Sequence, residues 1–547
     1  MKPFPEASQA RPAASWIPPV LRPRFTWRYV ACSLAISYVL YSFVTSRHLL
    51  AHPLPQYSGP HSVGAIDVEA SAPSPRLVDP ARFKATNENA FELRTVLFTL
   101  YYPASKGEKI LQHHHDWIPK PVSVTAAGYA KFAHIGNFLT NALFTGAIKL
   151  LVGNIKIPAG IDLPLLDDKH VPLDTASSSS ESSGILPGDD DEAEKILLSR
   201  VGHTTHQGYP VVVFSHGMAS SRTDYTHYAG ELASRGYVVA MLEHRDGSSP
   251  GTIIQEAGRP DETRLTFRMS EVESVEGHDL QEEDFKKAQL DFRQAEIEET
   301  VRVLQRINSG DGADVFAANP RREGAHLHDW ADRLNTDGMI VAGHSYGATG
   351  AMQALKGGPS NELRPFRGAI ILDPGKQSGR LNDDIDVPIL VVHSNSWSKK
   401  RSMFYGRAHF DTVRDIVMAN NMGDGEEKED GGNQSHASWF MTSLGTSHPS
   451  VTDAPLLEPL LLSVTTGAKI DVHEALRQYV HISEDFLKFL ADGKKRNLLA
   501  EPAEFPEYDP GRGFGAWKPG QGDDNSKRKG GEWADWRKYW QVHVAPA

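Results

Sequence analysis

The chain has 547 residues, and its 40% hydrophobic and 23% charged residues are typical of a globular protein. A formal net charge of −12 is unfavourable for binding nucleic acid, which needs a basic surface. Because Cys32 is the one cysteine, an intrachain disulfide and a thiolate metal cluster are both excluded.

Residues 29–45 carry no charged side chain, and Arg22, Arg24 and Arg28 lie before them. A run of this length just reaches the thickness of a bilayer, and positive charge on its N-terminal side favours a cytoplasmic N-terminus. The sequence therefore predicts a cytoplasmic tail over 1–28 and a transmembrane signal anchor over 29–45. The rest of a single-pass membrane protein would then be luminal or extracellular. A cleaved signal peptide, giving a secreted protein, is the alternative.

Proline, serine and alanine are frequent in residues 46–90, which is typical of a linker or stalk. A folded domain is expected over 91–495, starting at the strand-like run FELRTVLFTLYYP. Within it, the stretches at about 174–195 and 420–435 have almost nothing to bury and predict disordered insertions. Residues 496–547 form a C-terminal tail that contains several tryptophans, so part of it is expected to dock on the domain.

Short runs of Val, Ile and Leu, each ending in polar residues or glycine, recur between helical segments. They lie at 209–217, 236–245, 338–345, 368–375 and 387–395. A long helix is predicted over 282–307, where Ile297, Val301 and Leu304 recur at helical spacing. Continuous apolar strands are buried on both faces by helices, so the fold class is α/β with a mostly parallel central sheet. Ligands of such sheets bind at the carboxyl ends of the strands.

A G-x-S-x-G motif, Gly343-His344-Ser345-Tyr346-Gly347, follows one of these strands and precedes a helix. This context predicts the nucleophile elbow of an α/β-hydrolase fold, in which a sharp turn raises Ser345 above the sheet. Gly343 and Gly347 are expected there because a side chain would collide with the neighbouring strand and helix. A plain glycine-rich turn is the alternative.

A serine hydroxyl needs a base to become a nucleophile, and after the elbow an acid and then a histidine follow in chain order. Asp373 ends the strand after the serine and is the candidate acid. His448 lies in a loop beyond the last predicted strand and is the candidate base. The alternatives are Asp384 and Asp386 for the acid, and His393 and His436 for the base.

The tetrahedral oxyanion of ester hydrolysis needs two backbone N–H donors. One is expected at Tyr346, directly after the nucleophile. The other is expected in the loop after the strand at 209–217, where Gly217 permits a close approach and Met218 is the candidate donor. Neither a metal nor a cofactor is expected, because serine, histidine and aspartate carry out all of the proton and charge chemistry.

The chain resembles the platelet-activating factor acetylhydrolase family, the lipoprotein-associated, calcium-independent phospholipases A. Four stretches carry the resemblance: LYYP at 100–103, the long segment at 210–249, GHSYG at 343–347 and GTSHPSVTD at 445–453. The resemblance covers roughly residues 92–490. It implies that the catalytic residues of the family fall on Ser345, Asp373 and His448, and its oxyanion donors on Met218 and Tyr346.

The resemblance implies a carboxylic ester hydrolase of the 1-alkyl-2-acetylglycerophosphocholine esterase type. Its substrate would be a phospholipid with a short or oxidised acyl chain at the second glycerol position. The resemblance also implies that the apolar region 130–153 contacts lipid, with an ordinary buried helix as the alternative. Two other functions stay open: a general carboxylesterase acting on other esters, and an inactive hydrolase-like membrane binding protein.

Overall fold

The computed structural model describes residues 26–45, 51–105, 113–167, 208–357, 362–422, 436–459, 465–511 and 537–547. The predicted insertion at 174–195, and 423–435 of the second insertion, lie outside these residues.

The strands and helices of the described chain have the following bounds. The strands are β1 Ser62–Phe83, β2 Asn89–Ala104, β3 Gly160–Ile161, β4 Tyr209–Ser215, β5 Val238–Glu243, β6 Gly251–Ile254, β7 Glu262–Leu265, β8 Val272–Glu273, β9 Leu334–His344, β10 Phe366–Leu372, β11 Ile389–Ser394, β12 Met403–Phe404, β13 Arg407–Ala408, β14 Trp439–Ser443 and β15 Trp540–Val544. The α-helices are α1 Trp27–Thr45, α2 Val122–Phe132, α3 Phe138–Leu151, α4 Thr226–Ala233, α5 Glu282–Arg306, α6 Gly312–Ala318, α7 Tyr346–Gln353, α8 Asn395–Lys399, α9 His409–Met422, α10 Ala454–Leu457 and α11 Val472–Asp492.

One large mixed sheet organises these elements, in the strand order β15-β14-β11-β10-β9-β4-β5-β2-β1-β3, with β8 paired to β1. The strands from β14 to β5 are parallel, whereas β15 and β2 run antiparallel to their inner neighbours. The five apolar runs predicted from the sequence form β4, β5, β9, β10 and β11. The prediction of a mostly parallel sheet flanked by helices is therefore confirmed.

The hydrophobic core lies on both faces of this sheet. Val211 and Val213 of β4 pack on the face that α5 and α7 cover, whereas Val212 and Phe214 pack on the face that α4 and α11 cover. This alternation follows from the two-residue period of a strand. Because both faces are buried, the inner strands contain almost continuous apolar residues, which is the pattern seen in the sequence.

Residues 62–83 lie within the stretch 46–90 that the sequence predicts as a linker or stalk, but the structure differs there. They form β1 and pair antiparallel with β2, as in Ile66 opposite Leu100. Composition is misleading here because the prolines at 73 and 75 lie where the register shifts, between Ser71 and Arg76. A shifted register at a bulge tolerates proline, whose missing N–H would otherwise cost a ladder hydrogen bond.

The predicted transmembrane anchor is wrong. Residues 29–45 do form most of α1, but no helix in the part of the chain that the structure describes combines the length and the apolar character needed to cross a bilayer. Residues 29–45 carry no charge, but they include hydroxyl groups such as those of Ser33 and Ser37, and α1 also contains the charged Arg28 near its start. The helix is therefore less apolar than the absence of charge in 29–45 suggests. The single-pass localisation, with the remaining chain luminal or extracellular, is wrong for the same reason.

The end of the predicted C-terminal tail joins the sheet. Residues Trp540–Val544 form β15, which pairs antiparallel with β14 and is buried throughout. Trp540, Val542 and Val544 pack into the core, so the tail supplies one edge strand of the sheet.

Candidate active site

Ser345 lies between the end of β9 and the start of α7, in the turn that the sequence predicts. Its backbone has φ 58° and ψ −121°, a conformation that is uncommon for a residue with a side chain. The Ser345 N–H donates a hydrogen bond to the carbonyl of Leu372, at the end of β10, over 2.9 Å. The turn is thereby fixed at the carboxyl end of the sheet, where a nucleophile elbow belongs.

Three glycines allow this turn to pack against its neighbours. A Cβ atom on Gly343 would lie 2.2 Å from the carbonyl oxygen of Gly347, and one on Gly347 would lie 1.9 Å from that of Ser215 in β4. A Cβ atom on Gly217 would lie 3.1 Å from the Cβ of Ser345. Since the first two collisions are with backbone atoms, no side-chain movement could relieve them.

The structure brings together the three residues predicted as nucleophile, base and acid. Nε2 of His448 lies 3.0 Å from Oγ of Ser345, and Nδ1 of His448 lies 2.8 Å from Oδ2 of Asp373. A carboxylate at Nδ1 favours the tautomer that has its proton there, so Nε2 is free to accept the hydroxyl proton of the serine. This is the hydrogen-bonding order of a serine, histidine and aspartate triad.

Asp373 is buried and held by three hydrogen bonds. Its Oδ1 accepts the backbone N–H of Ser394 at 2.6 Å, and its Oδ2 accepts the Ser394 hydroxyl at 2.7 Å and the imidazole of His448. Asp373 also has a positive φ of 48°, so its backbone leaves β10 in a sharp turn. The carboxylate is therefore fixed in the orientation that His448 requires.

The alternative acids and bases lie in other interactions. Asp386 pairs with His436, whose Nε2 is 2.6 Å from Oδ1 of the aspartate. Asp384 accepts a loop N–H, and the buried His393 contacts the hydroxyl of Ser398 through Nδ1. In the described part of the chain, none of these four residues is hydrogen-bonded to the nucleophile candidate.

One candidate oxyanion donor, Tyr346, directly follows Ser345 in the chain, and the other, Met218, directly follows Gly217, which packs against Ser345. Within the described residues, the backbone N–H groups of Met218 and Tyr346 have no hydrogen-bond partner, so both are free to donate. The hydroxyl of Tyr225 fixes the loop that carries Met218, because it accepts the Gly217 N–H at 3.2 Å and contacts Nδ1 of His344 at 2.9 Å. Tyr225 thus connects the two halves of the candidate oxyanion hole.

Arg293, from α5, makes a second connection beneath the elbow. Its Nη1 donates to the carbonyl of His216 at 2.7 Å, and its guanidinium lies 4.5 Å from the ring centroid of Tyr346. The charge is balanced by Asp246, which accepts from Nε at 2.7 Å. All of these groups are buried, so the arginine holds the ends of β4 and β9 in a fixed relation.

Two aromatic rings flank the imidazole of His448. The Trp397 ring is stacked on it with a centroid distance of 4.0 Å and an interplanar angle of 9°, and the His344 ring lies 4.5 Å away at 38°. Burial, with a smaller contribution from His448, lowers the pKa of His344 well below its usual value. His344 therefore stays neutral and does not repel His448 when that residue takes up a proton.

The loop that follows His448 is tied to helix α4 through a buried carboxylate. Asp453 accepts the backbone N–H groups of Thr226 and His227, each at 2.9 Å, the Thr226 hydroxyl at 2.6 Å and Nε1 of Trp117 at 3.1 Å. A carboxylate at the start of a helix satisfies N–H groups that have no partner within the helix. This anchor lies five positions after the candidate base and limits its movement.

Trp397, Tyr225, Arg293 and Asp453 are site residues that the sequence analysis missed. Asp453 belongs to the same GTSHPSVTD motif as His448, which is the signal that could have found it. The other three act through contacts between distant parts of the chain, and no spacing in the sequence reports such contacts.

Two groups of side chains in the described residues have the spacing of metal ligands: His344, Asp373 and His448, and Asp67, His115 and Glu323. In the first group the imidazole of His448 is already bonded to a carboxylate and a hydroxyl. In the second, Asp67 pairs with Arg222 at 2.6 Å, and His115 Nε2 lies 2.9 Å from Glu323. The close spacing of the side chains in both groups is therefore accounted for by hydrogen bonds and ion pairs.

Comparison with known proteins finds similar chains among named proteins and among solved structures. Platelet-activating factor acetylhydrolase from Cavia porcellus is 24% identical over 362 residues, which cover 64% of this chain and 64% of that protein, just under two thirds of its length. A Schizosaccharomyces pombe protein named "Putative phospholipase A2" is 26% identical over 463 residues, which cover 80% of this chain and 91% of that protein. Among solved structures, a ferulic acid esterase from Streptomyces cinnamoneus has a TM-score of 0.42 and 14% identity, covering 84% of this chain and 97% of that one.

A family model described as platelet-activating factor acetylhydrolase, isoform II, matches residues 49–177 and 198–501. These two segments make up well over half of the chain and include the elbow and the candidate acid and base. The chain therefore belongs to the platelet-activating factor acetylhydrolase, isoform II, family.

Proposed function

We propose that the protein is an α/β-hydrolase that cleaves a carboxylic ester of a phospholipid, of the 1-alkyl-2-acetylglycerophosphocholine esterase type. The substrate would carry a short or oxidised acyl chain at the second glycerol position. Family membership supports an ester hydrolase, and one observation carries the chemistry: the hydrogen bonds that connect Ser345, His448 and Asp373. Ser345 is the proposed nucleophile, His448 the base and Asp373 the acid.

In the first half-reaction, Oγ of Ser345 attacks the ester carbonyl while Nε2 of His448 takes the hydroxyl proton. Asp373 stabilises the imidazolium and keeps its Nδ1 proton in place without accepting it. The negative charge on the carbonyl oxygen is received by the N–H groups of Met218 and Tyr346, assisted by the N-terminus of α7. When the tetrahedral intermediate collapses, His448 donates its proton to the lysophospholipid alkoxide, which leaves.

In the second half-reaction, water hydrolyses the acyl-enzyme. His448 again acts as base, taking a proton from the water as it attacks the acyl carbonyl, and the same two N–H groups stabilise the second oxyanion. Collapse returns the proton to Oγ of Ser345 and releases the short or oxidised acid. The net reaction consumes one water and involves no other reactant.

We also propose that helix α3 contacts the lipid surface that holds the substrate. In this helix no residue is buried, and Phe138, Leu139 and Leu143 are exposed to 92%, 66% and 64%. Such a group of exposed apolar side chains is unusual on a monomer and is typical of a surface that meets lipid or another protein. An interfacial helix places its apolar side chains at the boundary of the head groups and acyl chains.

The first prediction concerns the nucleophile. Ser345→Ala is expected to lower kcat by roughly 10⁶-fold, because the attacking group is lost while the fold remains. The measurements are hydrolysis of short-chain choline phospholipid and of p-nitrophenyl butyrate, together with labelling by a fluorophosphonate probe. The exposed Ser309 provides the matched control, since Ser309→Ala should retain both activity and labelling.

The outcomes separate the candidate functions. Turnover near wild type in the Ser345→Ala variant would contradict the site assignment. Hydrolysis of the simple ester alone by the wild type would favour the general carboxylesterase. An unlabelled wild-type protein would favour the inactive binding protein.

A further inference from the structure

The candidate base His448 lies flat against the indole of Trp397, in the first turn after β11. The centroids are 4.0 Å apart and the planes are within 9° of parallel, so the imidazole lies over the face of the ring rather than its edge. The face of an aromatic ring carries excess electron density, and it attracts a cation more strongly than a neutral group. Proton uptake by His448 would therefore strengthen this contact.

Trp397 is fixed to the same residues that hold the acid. Its Nε1 donates to the carbonyl of Pro374 at 3.0 Å, directly after Asp373. Its backbone N–H donates to Oγ of Ser394 at 3.3 Å, and that hydroxyl in turn donates to Asp373. The indole, the carboxylate and the imidazole thus form one hydrogen-bonded and stacked unit.

Helix α8, which carries Trp397, is also held from the C-terminal side. The hydroxyl of Tyr508 donates to Asn395 at 2.9 Å. A second chain of hydrogen bonds runs from His543 of β15 to Thr442 at 2.7 Å, and from Thr442 to Ser398 at 2.7 Å. Tyr508 and His543 lie beyond residue 501, where the family match ends. The stacked geometry therefore rests on a part of the chain outside that match.

The charged and titratable groups around His448 come from several elements. Asp373 bonds to its Nδ1, and the neutral His344 faces it from the end of β9. Burial is the main cause of the lowered pKa of His393 in β11, and His448 makes a smaller contribution to it. Lys376 lies 4.6 Å from the Trp397 ring centroid and donates to the carbonyls of Trp397 and Lys400. Burial lowers the pKa of Lys376 to about 8, so its ammonium group is still mostly protonated at pH 7. The indole of Trp397 therefore contacts both this cation and the imidazole of His448.

We propose that Trp397 is a positioning residue whose indole face stabilises the protonated form of His448. This inference rests on the proposed function, in which His448 carries a positive charge after it takes the Ser345 proton. Because the attraction is stronger for the imidazolium than for the neutral imidazole, it contributes mainly in the transition state. The positive charge of Lys376, 4.6 Å from the same ring centroid, acts against this attraction.

The test compares Trp397→Leu, which removes the aromatic face, with Trp397→Phe, which keeps a smaller one. With p-nitrophenyl butyrate, the leucine variant is expected to lose about 10-fold in kcat with KM changed less than about 2-fold. The acid limb of its kcat/KM profile should move to lower pH by up to about one unit, the shift that matches a 10-fold effect, since His448 then holds its proton less firmly. The phenylalanine variant should recover most of both effects.

A second readout does not depend on turnover. In a Ser345→Ala background, the His448 imidazole can be titrated by NMR with labelled histidine, with and without Trp397→Leu. The titration midpoint should lie at lower pH without the indole. An unchanged midpoint would overturn the proposal whether or not the protein hydrolyses esters. In an active enzyme, equal losses of kcat in the leucine and phenylalanine variants would overturn it as well. If Trp397→Leu lowers the titration midpoint of His448 as expected but the wild-type protein has no esterase activity, only the proposed function is contradicted.

Discussion

At the residue scale, Asp224 shows how burial next to the candidate oxyanion loop changes a charged group. Its Oδ2 accepts the Ser220 hydroxyl at 2.7 Å and the Ser221 N–H at 2.9 Å, and burial raises its pKa to about 7. Between its ordinary range near 4 and about 7, the folded protein holds a proton that the unfolded chain has released. The stability of the fold therefore decreases as pH rises through this window.

Asp224→Asn is expected to remove that part of the pH dependence. The amide keeps an oxygen that accepts both hydrogen bonds and never becomes charged, so the variant should be more stable than wild type at pH 8 by at least about 1 kcal/mol. The free energy of unfolding in urea at pH 5, 7 and 8 gives the measurement. The exposed Asp383 provides the control, since Asp383→Asn should reproduce the wild-type profile. A variant less stable than wild type at pH 8 would contradict the raised pKa.

At the element scale, the apolar residues of α3 were recognised in the sequence, but their exposure was not predictable. A run such as AKFAHIGNFLTNALFTGAIKLLVG suits a buried helix equally well, because both kinds of helix need Phe, Leu and Ile. The structure divides this run into the end of α2 and the whole of α3, and leaves α3 without a buried residue. The division occurs at the turn around Gly136, which sequence periodicity does not locate.

Leu139→Ser with Leu143→Ser is expected to weaken binding to phosphatidylcholine vesicles by roughly 10- to 100-fold, because two apolar side chains no longer leave water. Sedimentation with vesicles measures the binding, and p-nitrophenyl butyrate hydrolysis should stay at the wild-type level. The double change Ala142→Ser with Ala147→Ser, at exposed positions of the same helix, is the matched control. Equal vesicle binding by the two double variants would refute the role of α3.

At the scale of the whole molecule, the sheet takes strands from both the early and the late parts of the described chain. β1 forms part of one side of the sheet and β15 closes the other.

Trp540 of β15 is 2% exposed, so Trp540→Ala should cost about 3–5 kcal/mol of the free energy of unfolding. Arg537→Ala, at an exposed ion pair with Glu501, should cost less than about 1 kcal/mol. Chemical denaturation measures both, and an unchanged midpoint for the tryptophan variant would show that the strand is not part of the cooperative unit.

The sequence predicted most of the inner sheet and the positions of Ser345, Asp373 and His448 because those depend on element order. Each candidate residue follows a strand, and parallel strands end at the same edge. The remaining site residues could not be predicted in this way. Trp397 and Tyr225 act through ring stacking and a hydroxyl contact, which depend on how loops from separate strands meet. The anchor prediction is wrong because a segment without charged residues is not necessarily apolar enough to cross a bilayer.

The late position of β15 in the chain order has a consequence for folding during biosynthesis. Because β15 is synthesised long after β14, β14 remains an uncovered edge strand until Trp540–Val544 have left the ribosome. Helix α8 likewise lacks its contacts with Tyr508 and His543 until then. The contacts that support the candidate site are therefore complete only after β15 has been made, and a chain that stops before Trp540 would display a strand edge that is open to self-association.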